Sequence, residues 1–464
     1  MSSRTVSQLI RATLVIHCAF LTSAALGQEA AAPAPVAPAT QPAAPTQEAP
    51  AAAAPTPVAQ PAAAPQNAAD PCLQSILEEQ QKTRLLREMR QPLPYPAKDE
   101  ATKLKRAFAP LLKSGYSNAA DTKTAQDYLS WLLLRSTDPE FVSNPDNVQQ
   151  MLKDIESDIQ NSGRDLGNAE RRLPARKKFC GDVLATTRKM LENSLDARIT
   201  AVNVIKFLFE VPAVTAGPPA RFYGEALTTL LEVVASKDQP DSVKVCAANS
   251  LRFVLRNCDV SEQDQFRIVD ALGNELARPC TQSAYQQSLL ETLIEIKRPR
   301  KTIGVAEPTS MKHFVAVLED KARPIEVRCL AAFGVGQGPF DADMKLEPLA
   351  WKIAQLAGDT AIEFNKSPGD AKWPWCGACL IFAFRHTTQA DAAAALPDRK
   401  GLMNRAPQSA AIASVVPHVQ VVAVKLIENS GKFSAAELQP LAQWINANKP
   451  ANLTWASNAP PLKP

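Results

Sequence analysis

The motif with the clearest chemical potential is Trp375-Cys376-Gly377-Ala378-Cys379, in which two residues separate the cysteines. Pro374 precedes it, and proline is favoured in the first turn of a helix, so the motif is predicted to open one. A cysteine at that position can act as a nucleophile, because the helix dipole and the free amides stabilise its thiolate. Cys376 and Cys379 are therefore the candidate redox pair.

The motif resembles the thioredoxin active site, Trp-Cys-Gly-Pro-Cys, with Ala378 in place of the proline. That resemblance implies a thiol-disulfide oxidoreductase built around a parallel sheet. The segment Lys345 to Phe364, however, has helical spacing where such a fold has a strand. Structural cysteines or a local disulfide are therefore favoured, and redox activity and metal binding stay open as alternatives.

The histidines do not suggest a catalytic triad or a metal-binding motif. After the leader, the chain contains only His313, His386 and His418, which are scattered over more than a hundred residues. Cys376, Cys379 and His386 would share one helix face, but about 15 Å of helix separates the first from the last, too far for one tetrahedral ion. We predict no metal site and no cofactor.

Trp373 and Trp375 flank Pro374, and two large aromatic side chains are costly to expose without a use. They either complete a core or offer a stacking surface for a sugar or a peptide.

Two basic clusters are further candidates for binding an acidic protein, an anionic glycan or phospholipid headgroups, against the alternative of solvated helix faces. The first comprises Arg171, Arg172, Arg176, Lys177 and Lys178, and the second comprises Lys297, Arg298, Arg300 and Lys301.

The first 71 residues predict export. Residues 1–27 combine basic residues, an apolar run and small residues before Gln28, a pattern typical of a cleaved secretory signal. An uncleaved membrane anchor and acylation at Cys18 are alternatives. Residues 28–71 contain 30 Ala or Pro among 44, which predicts a disordered, semi-rigid linker. We therefore expect a protein of the periplasm or the exterior, with no transmembrane span after cleavage.

The remaining chain is predicted to be all-α. Residues 72–173 show helical spacing without a clear repeat, and residues 174–430 repeat every 42 to 48 residues. A closing helix is expected from Ser434 to Asn448, within 431–464. The repeat anchors are Arg198, Lys244, Gln286, Arg328, Cys376 and Gln420, and all eighteen positions three, four and seven residues beyond them are apolar.

A second helix is predicted before each later anchor, which makes the unit an αα-hairpin whose apolar faces need neighbours. These helices are Arg221 to Lys237, Ser261 to Arg278, Thr309 to Lys321 and Lys345 to Phe364. Pro240, Pro324, Pro374 and Pro417 are expected to open the anchor helices. Gly334 to Gly338 is expected to end one.

The segments Asp241-Ser242-Val243-Lys244 and Pro324-Ile325-Glu326-Val327-Arg328 resemble HEAT-type repeats, whose second helix often opens with Asp-x-x-Val-Arg. The resemblance covers residues 174–430. It implies an α-solenoid that binds proteins through the surface of successive second helices. We expect a non-enzymatic scaffold for protein–protein interaction, with a thiol-disulfide oxidoreductase and an envelope glycan-binding module as alternatives.

The charge composition limits the class of binding partner that we expect. The chain has 51 basic and 47 acidic residues, a formal charge of +4, which is too balanced for a dedicated nucleic-acid binder. The expected partner is therefore a protein, with a cell-envelope glycan as the alternative.

Overall fold

The computed structural model describes residues 71–89, 91–213, 219–278, 281–297, 309–340, 344–385, 401–406 and 409–464. The predicted signal and all but the last residue of the predicted linker lie outside these ranges. Four candidate residues also lie outside them, namely Arg298, Arg300, Lys301 and His386.

The described chain is all-α apart from one small hairpin, as predicted. The N-terminal helices are α1 (Pro71–Glu88), α2 (Lys98–Ser114), α3 (Ala119–Leu134), α4 (Pro139–Val142) and α5 (Pro145–Asn161). The next are α6 (Ala169–Met190), α7 (Leu195–Ile205), α8 (Gly224–Ala235), α9 (Asp241–Asn257), α10 (Glu262–Leu276) and α11 (Ser283–Ile294). The last are α12 (Thr309–Glu319), α13 (Ile325–Gln337), α14 (Leu346–Lys366), α15 (Trp373–Phe384), α16 (Gly401–Arg405), α17 (Ala410–Glu428) and α18 (Ala435–Ala447).

Side-chain caps fix several helix starts. Asn144 accepts a hydrogen bond from the amide of Asp146 at the start of α5, where Pro145 has no amide to satisfy. Ser434 and Glu437 form a reciprocal capping box at the start of α18. Local sequence therefore determines these boundaries, and the predicted closing helix is confirmed.

Each predicted anchor lies on a helix, and these six helices pack in sequence. We call α7, α9, α11, α13, α15 and α17 the anchor row, because each contacts the next. Helices α8, α10, α12 and α14 contact one another in the same order and form the second row. Each second-row helix also packs on the anchor helix that follows it, as expected for an αα-hairpin.

The predicted apolar positions belong to the core. All eighteen are buried except Val424 and Ile427, which are half-buried. In α17 the buried side chains include Val422 and Leu426, so the stripe there is displaced by about one residue. One apolar core runs from Leu86 to Leu462.

The N-terminal helices join this core directly. Helix α3 packs on α6, and both α5 and α1 pack on α7. The carboxylate of Glu79 accepts a hydrogen bond of 2.6 Å from the amide of Asp241, the first residue of α9. Cys72 is disulfide-bonded. Helix α1 is therefore tied to the repeats by polar contacts as well as by packing.

Three local predictions were wrong. Arg221 and Phe222 form a strand, β2, that pairs antiparallel with β1 (Phe209–Val211), so the helix predicted from Arg221 begins at Gly224. Pro417 lies inside α17 on its exposed side instead of opening the helix. Pro240, Pro324 and Pro374 do open their helices.

The third error is partial: α13 does end at Gln337 with Gly338 as its C-cap, but Gly334 and Gly336 lie inside the helix. A Cβ atom on Gly336 would lie 2.1 Å from the carbonyl oxygen of Ala383, and one on Gly334 would lie 2.4 Å from the Phe314 ring. These glycines allow neighbouring helices to approach α13 closely.

Candidate interaction surface and predicted site residues

The Cys-x-x-Cys pair lies in the first two turns of α15, as the sequence predicted, but it faces the core. Cys376 is fully buried and Cys379 is almost so. A hydrogen bond with the Cys329 thiol, together with burial, raises the pKa of Cys376 well above its usual value. Burial raises the pKa of Cys379 in the same direction. The nucleophilic thiolate is therefore disfavoured at both positions.

Trp373 is a core residue. Its side chain is fully buried, and its indole Nε1 donates a hydrogen bond of 2.7 Å to the carbonyl oxygen of Ser367. The ring meets Phe364 edge to face, with centroids 5.5 Å apart. Trp375 is half-buried and packs against the same core. A ligand would have to unpack Trp373 to stack on it, so the core interpretation fits the geometry.

The first basic cluster does not form one surface. Arg176 is only 8% exposed and donates hydrogen bonds to the backbone carbonyls of Ser162 (3.0 Å) and Glu210 (3.4 Å). Lys177 is exposed, and its Nζ lies 3.5 Å from the Glu210 carboxylate. These two cations therefore hold α6 against its neighbours in the chain.

The other members of the cluster also have nearby partners. Lys178 lies 3.4 Å from the Asp182 carboxylate and 4.9 Å from the centre of the Tyr116 ring. Arg172 donates to the carbonyl of Gly167, and Arg171 is exposed at the start of α6. Of the second cluster only Lys297 is described, and it is exposed.

A buried charge network links α9, α10 and α11. Lys244 is 1% exposed, and its Nζ lies 3.0 Å from the carboxylate of Glu275. The Tyr285 hydroxyl donates to the same carboxylate at 2.9 Å, and Arg278 also contacts it. Burial lowers the pKa of Lys244 and raises that of Tyr285.

Groups with shifted pKa values are common in active sites, but ion-pair networks produce such shifts too. Here the partners of the Glu275 carboxylate come from α9 (Lys244), from α11 (Tyr285) and from the turn after α10 (Arg278), so the network holds these three helices together. One signal of it is visible in the sequence, namely a lysine at an otherwise buried anchor position. The described residues contain no cluster of His, Cys, Asp and Glu suited to a metal ion.

An ion-pair ladder joins helices α9 and α11. Arg252 contacts Glu291, and its Nε lies 3.7 Å from Glu295. Arg256 lies 2.6 Å from Glu295 and keeps about half of its side chain exposed. Residues 252 and 291 are separated by 39 positions, as are 256 and 295, so the two helices run parallel in register.

An aromatic cluster adjoins this ladder. We call Phe207, Phe209 and Phe253 the Phe patch; all three are half-buried. The Phe253 ring centroid lies 6.3 Å from those of both other rings. The Nζ of Lys206 lies 4.9 Å from the Phe207 ring. Sequence reasoning missed the patch because the hairpin that carries Phe209 was not predicted.

A polar cleft of about 230 Å³ lies beside α13 and α14. The Nζ of Lys352 donates to the carbonyl of Lys463 at 2.7 Å, and the amide of Lys463 donates to Glu319 at 2.5 Å. Arg328 lies 3.0 Å from Asp359. The buried charges of this cleft are thus engaged with the last residues of the chain or with each other.

One helix in the described part of the chain, α17, is long and apolar enough to cross a membrane, with a mean hydropathy of 1.8. Of that stretch, 39% is buried, and the helix packs against α14, α15 and α18.

A scan of protein-family models, a search of curated proteins and a search of solved structures each find no match to this chain. The likeness to HEAT-type repeats therefore stays a prediction from its motifs.

Proposed function

We propose that this protein is an exported, non-enzymatic α-solenoid of HEAT-like hairpins that binds a protein partner through the anchor row. The observation that carries the proposal is the sequential packing of α7, α9, α11, α13, α15 and α17. Stacks of this kind have an extended face built from equivalent helices, which repeat proteins use for binding.

The register of neighbouring anchor helices supports the repeat assignment. The ladder pairs on α9 and α11 share one offset, as expected when equivalent helices of successive hairpins run parallel. Two-row packing and buried small residues such as Ala247 and Ala331 fit the same interpretation.

The Phe patch and Arg256 are the proposed contact site. Aromatic and arginine side chains are enriched at protein interfaces, because they offer large contact areas together with hydrogen-bond donors. Phe207 and Phe253 expose part of their rings beside the ladder, where a partner's apolar side chain could cover them. The expected partner is a protein that presents such side chains.

Export rests on the leader pattern and on cysteine chemistry. Disulfides persist mainly in oxidising compartments, and Cys72 is disulfide-bonded. The linker 28–71 would then hold the folded part away from its point of attachment or leave it free after cleavage.

The two alternatives have less support from the geometry. An oxidoreductase using Cys376 and Cys379 needs an accessible thiolate, and both thiols are buried. A glycan-binding module using Trp373 or Trp375 needs a free ring face; the Trp373 ring is buried, and Trp375 is half-buried. Co-sedimentation with isolated wall material is the test that would revive the glycan alternative.

The test is affinity capture with tagged residues 28–464 from crosslinked envelope extract, analysed by mass spectrometry. The Phe207→Ser/Phe253→Ser variant is compared with Ile362→Ser, a control at a side chain that is 55% exposed on the second row. We expect one protein to be captured by the parent and the control and lost with the double variant. Equal capture by all three, after circular dichroism has shown that each is folded, would refute the proposed contact site.

A further inference from the structure

Three thiols meet where α13 packs on α15. Cys329 lies on α13, Cys376 and Cys379 lie on α15, and all three are buried; the Cys329 thiol and burial both raise the pKa of Cys376. The Cys329 Sγ also lies 3.6 Å from the Thr360 hydroxyl. The cysteine that meets Cys376 is therefore on the preceding repeat and outside its own Cys-x-x-Cys motif.

The backbones of these helices are close together. Gly336 has no room for a Cβ, because that atom would lie 2.1 Å from the Ala383 carbonyl oxygen. Gly336 and Ala383 are 47 residues apart, and so are Cys329 and Cys376, seven residues earlier on each helix. Seven residues are about two helical turns, so both pairs lie on the same contact line between parallel helices.

A disulfide requires Cβ atoms about 3.8 Å apart, which two helices reach only where small residues let them approach closely. The glycine contact shows such an approach, and the shared offset places the buried Cys329 opposite the buried Cys376 on the same contact line. We propose that Cys329 and Cys376 are an oxidisable pair that forms a disulfide between successive repeats.

The oxidation needs a disulfide as oxidant, for which oxidised glutathione is the simplest source. One cysteine thiolate attacks it, forming a mixed disulfide and releasing one glutathione thiolate. The second cysteine then attacks the mixed disulfide, which forms the Cys329–Cys376 bond and releases the second glutathione. The protein loses two electrons and two protons, and both appear in two molecules of reduced glutathione.

Burial makes the exchange slow in the folded protein, because thiolate formation and access are both needed. The pair should therefore close during folding or local opening. Once closed, the bond would tie α13 to α15 across a loop of 47 residues and stabilise their junction.

The test uses residues 28–464, reduced, unfolded and refolded in a buffer of oxidised and reduced glutathione. Remaining thiols are alkylated in denaturant, and the linked peptides are mapped by mass spectrometry. We expect one peptide joining Cys329 to Cys376 and an upward shift of the thermal midpoint that reductant reverses. Recovery of both as alkylated thiols, or a bond between Cys376 and Cys379, would overturn the proposal.

Matched variants identify which cysteines form the bond. Cys379→Ala should retain the link, whereas Cys329→Ser and Cys376→Ser should each abolish it and leave only the reductant-sensitive shift that comes from the Cys72 disulfide. If Cys379→Ala loses the link while staying folded, the assigned pair is wrong. Cys180→Ala, at a buried cysteine outside this junction, should leave both readouts unchanged.

Discussion

Replacing Gly336 by alanine should destabilise the protein, although alanine is the better helix former. The new Cβ would lie 2.1 Å from the Ala383 carbonyl oxygen, a backbone atom that cannot rotate away. Ordinary contact needs at least about 3.4 Å, so α13 and α15 would have to separate by roughly 1 Å, at an overpacking cost of about 1–3 kcal/mol. The higher helix propensity of alanine would offset at most about 1 kcal/mol of this cost.

Gly358 is the matched control. It lies in the middle of α14, and a Cβ there would have no neighbour within 4 Å. Gly358→Ala should therefore gain up to about 1 kcal/mol from propensity alone. The two variants test the same chemical change with opposite expected signs.

Urea denaturation followed by circular dichroism measures both free energies of unfolding. We expect Gly336→Ala to lie below the parent and Gly358→Ala to lie at or above it. A Gly336→Ala variant as stable as the parent, with an unchanged denaturant slope, would refute the close approach of α13 and α15.

Three further substitutions test other contacts. Burial lowers the pKa of His313 to about 4 from its ordinary 6.5. The unfolded chain therefore binds the extra proton first as pH falls, and stability drops between these values; His313→Gln should remove up to roughly 3 kcal/mol of that drop. Lys244→Ala should cost about 3 kcal/mol, because the buried Glu275 loses its ammonium partner. Trp373→Ala should cost about 3–5 kcal/mol through lost packing, without loss of partner capture.

Each of these predictions has a distinct control. For the histidine it is the pH range above about 7, where the His313 ring is neutral in both states and the variant and parent curves should run parallel. Lys82→Ala, at a cation that is more exposed, should change the free energy of unfolding far less than Lys244→Ala. If Trp373→Ala stays stable but loses the partner, the aromatic side chain belongs to a binding site and the core assignment fails.

The sequence predicted the anchor helices well because burial on one side of a helix leaves a local apolar period. Leu289, Leu290 and Leu293 illustrate this, since their spacing alone identifies the buried face of α11. The closing helix was predictable for a similar reason, because the capping residues Ser434 and Glu437 are close in sequence.

The errors arise where residues distant in sequence determine the local structure. Strands of two and three residues carry no periodic pattern, so β1 and β2 were not foreseen. Gly336 looked like a helix end because nothing near it in sequence reveals Ala383 as its neighbour. Arg176 belonged to a basic cluster in sequence, but its acceptors are the backbone carbonyls of Ser162 and Glu210.

The candidate site was less predictable than the fold. Its residues come from the end of α7, the hairpin and the exposed side of α9, which only the tertiary structure brings together. The motif that looked most chemical, Cys376 with Cys379, is a packing element at the α13–α15 junction.

Site-specific photo-crosslinking tests the central claim most directly. A photoreactive phenylalanine analogue is placed at position 253 in the Phe patch, or at Ile362 on the second row as the exposed control, in cells that export the protein. The proposed function predicts a discrete protein adduct from position 253 and none from position 362. No adduct from position 253, or the same adducts from both positions, would contradict binding through the anchor row.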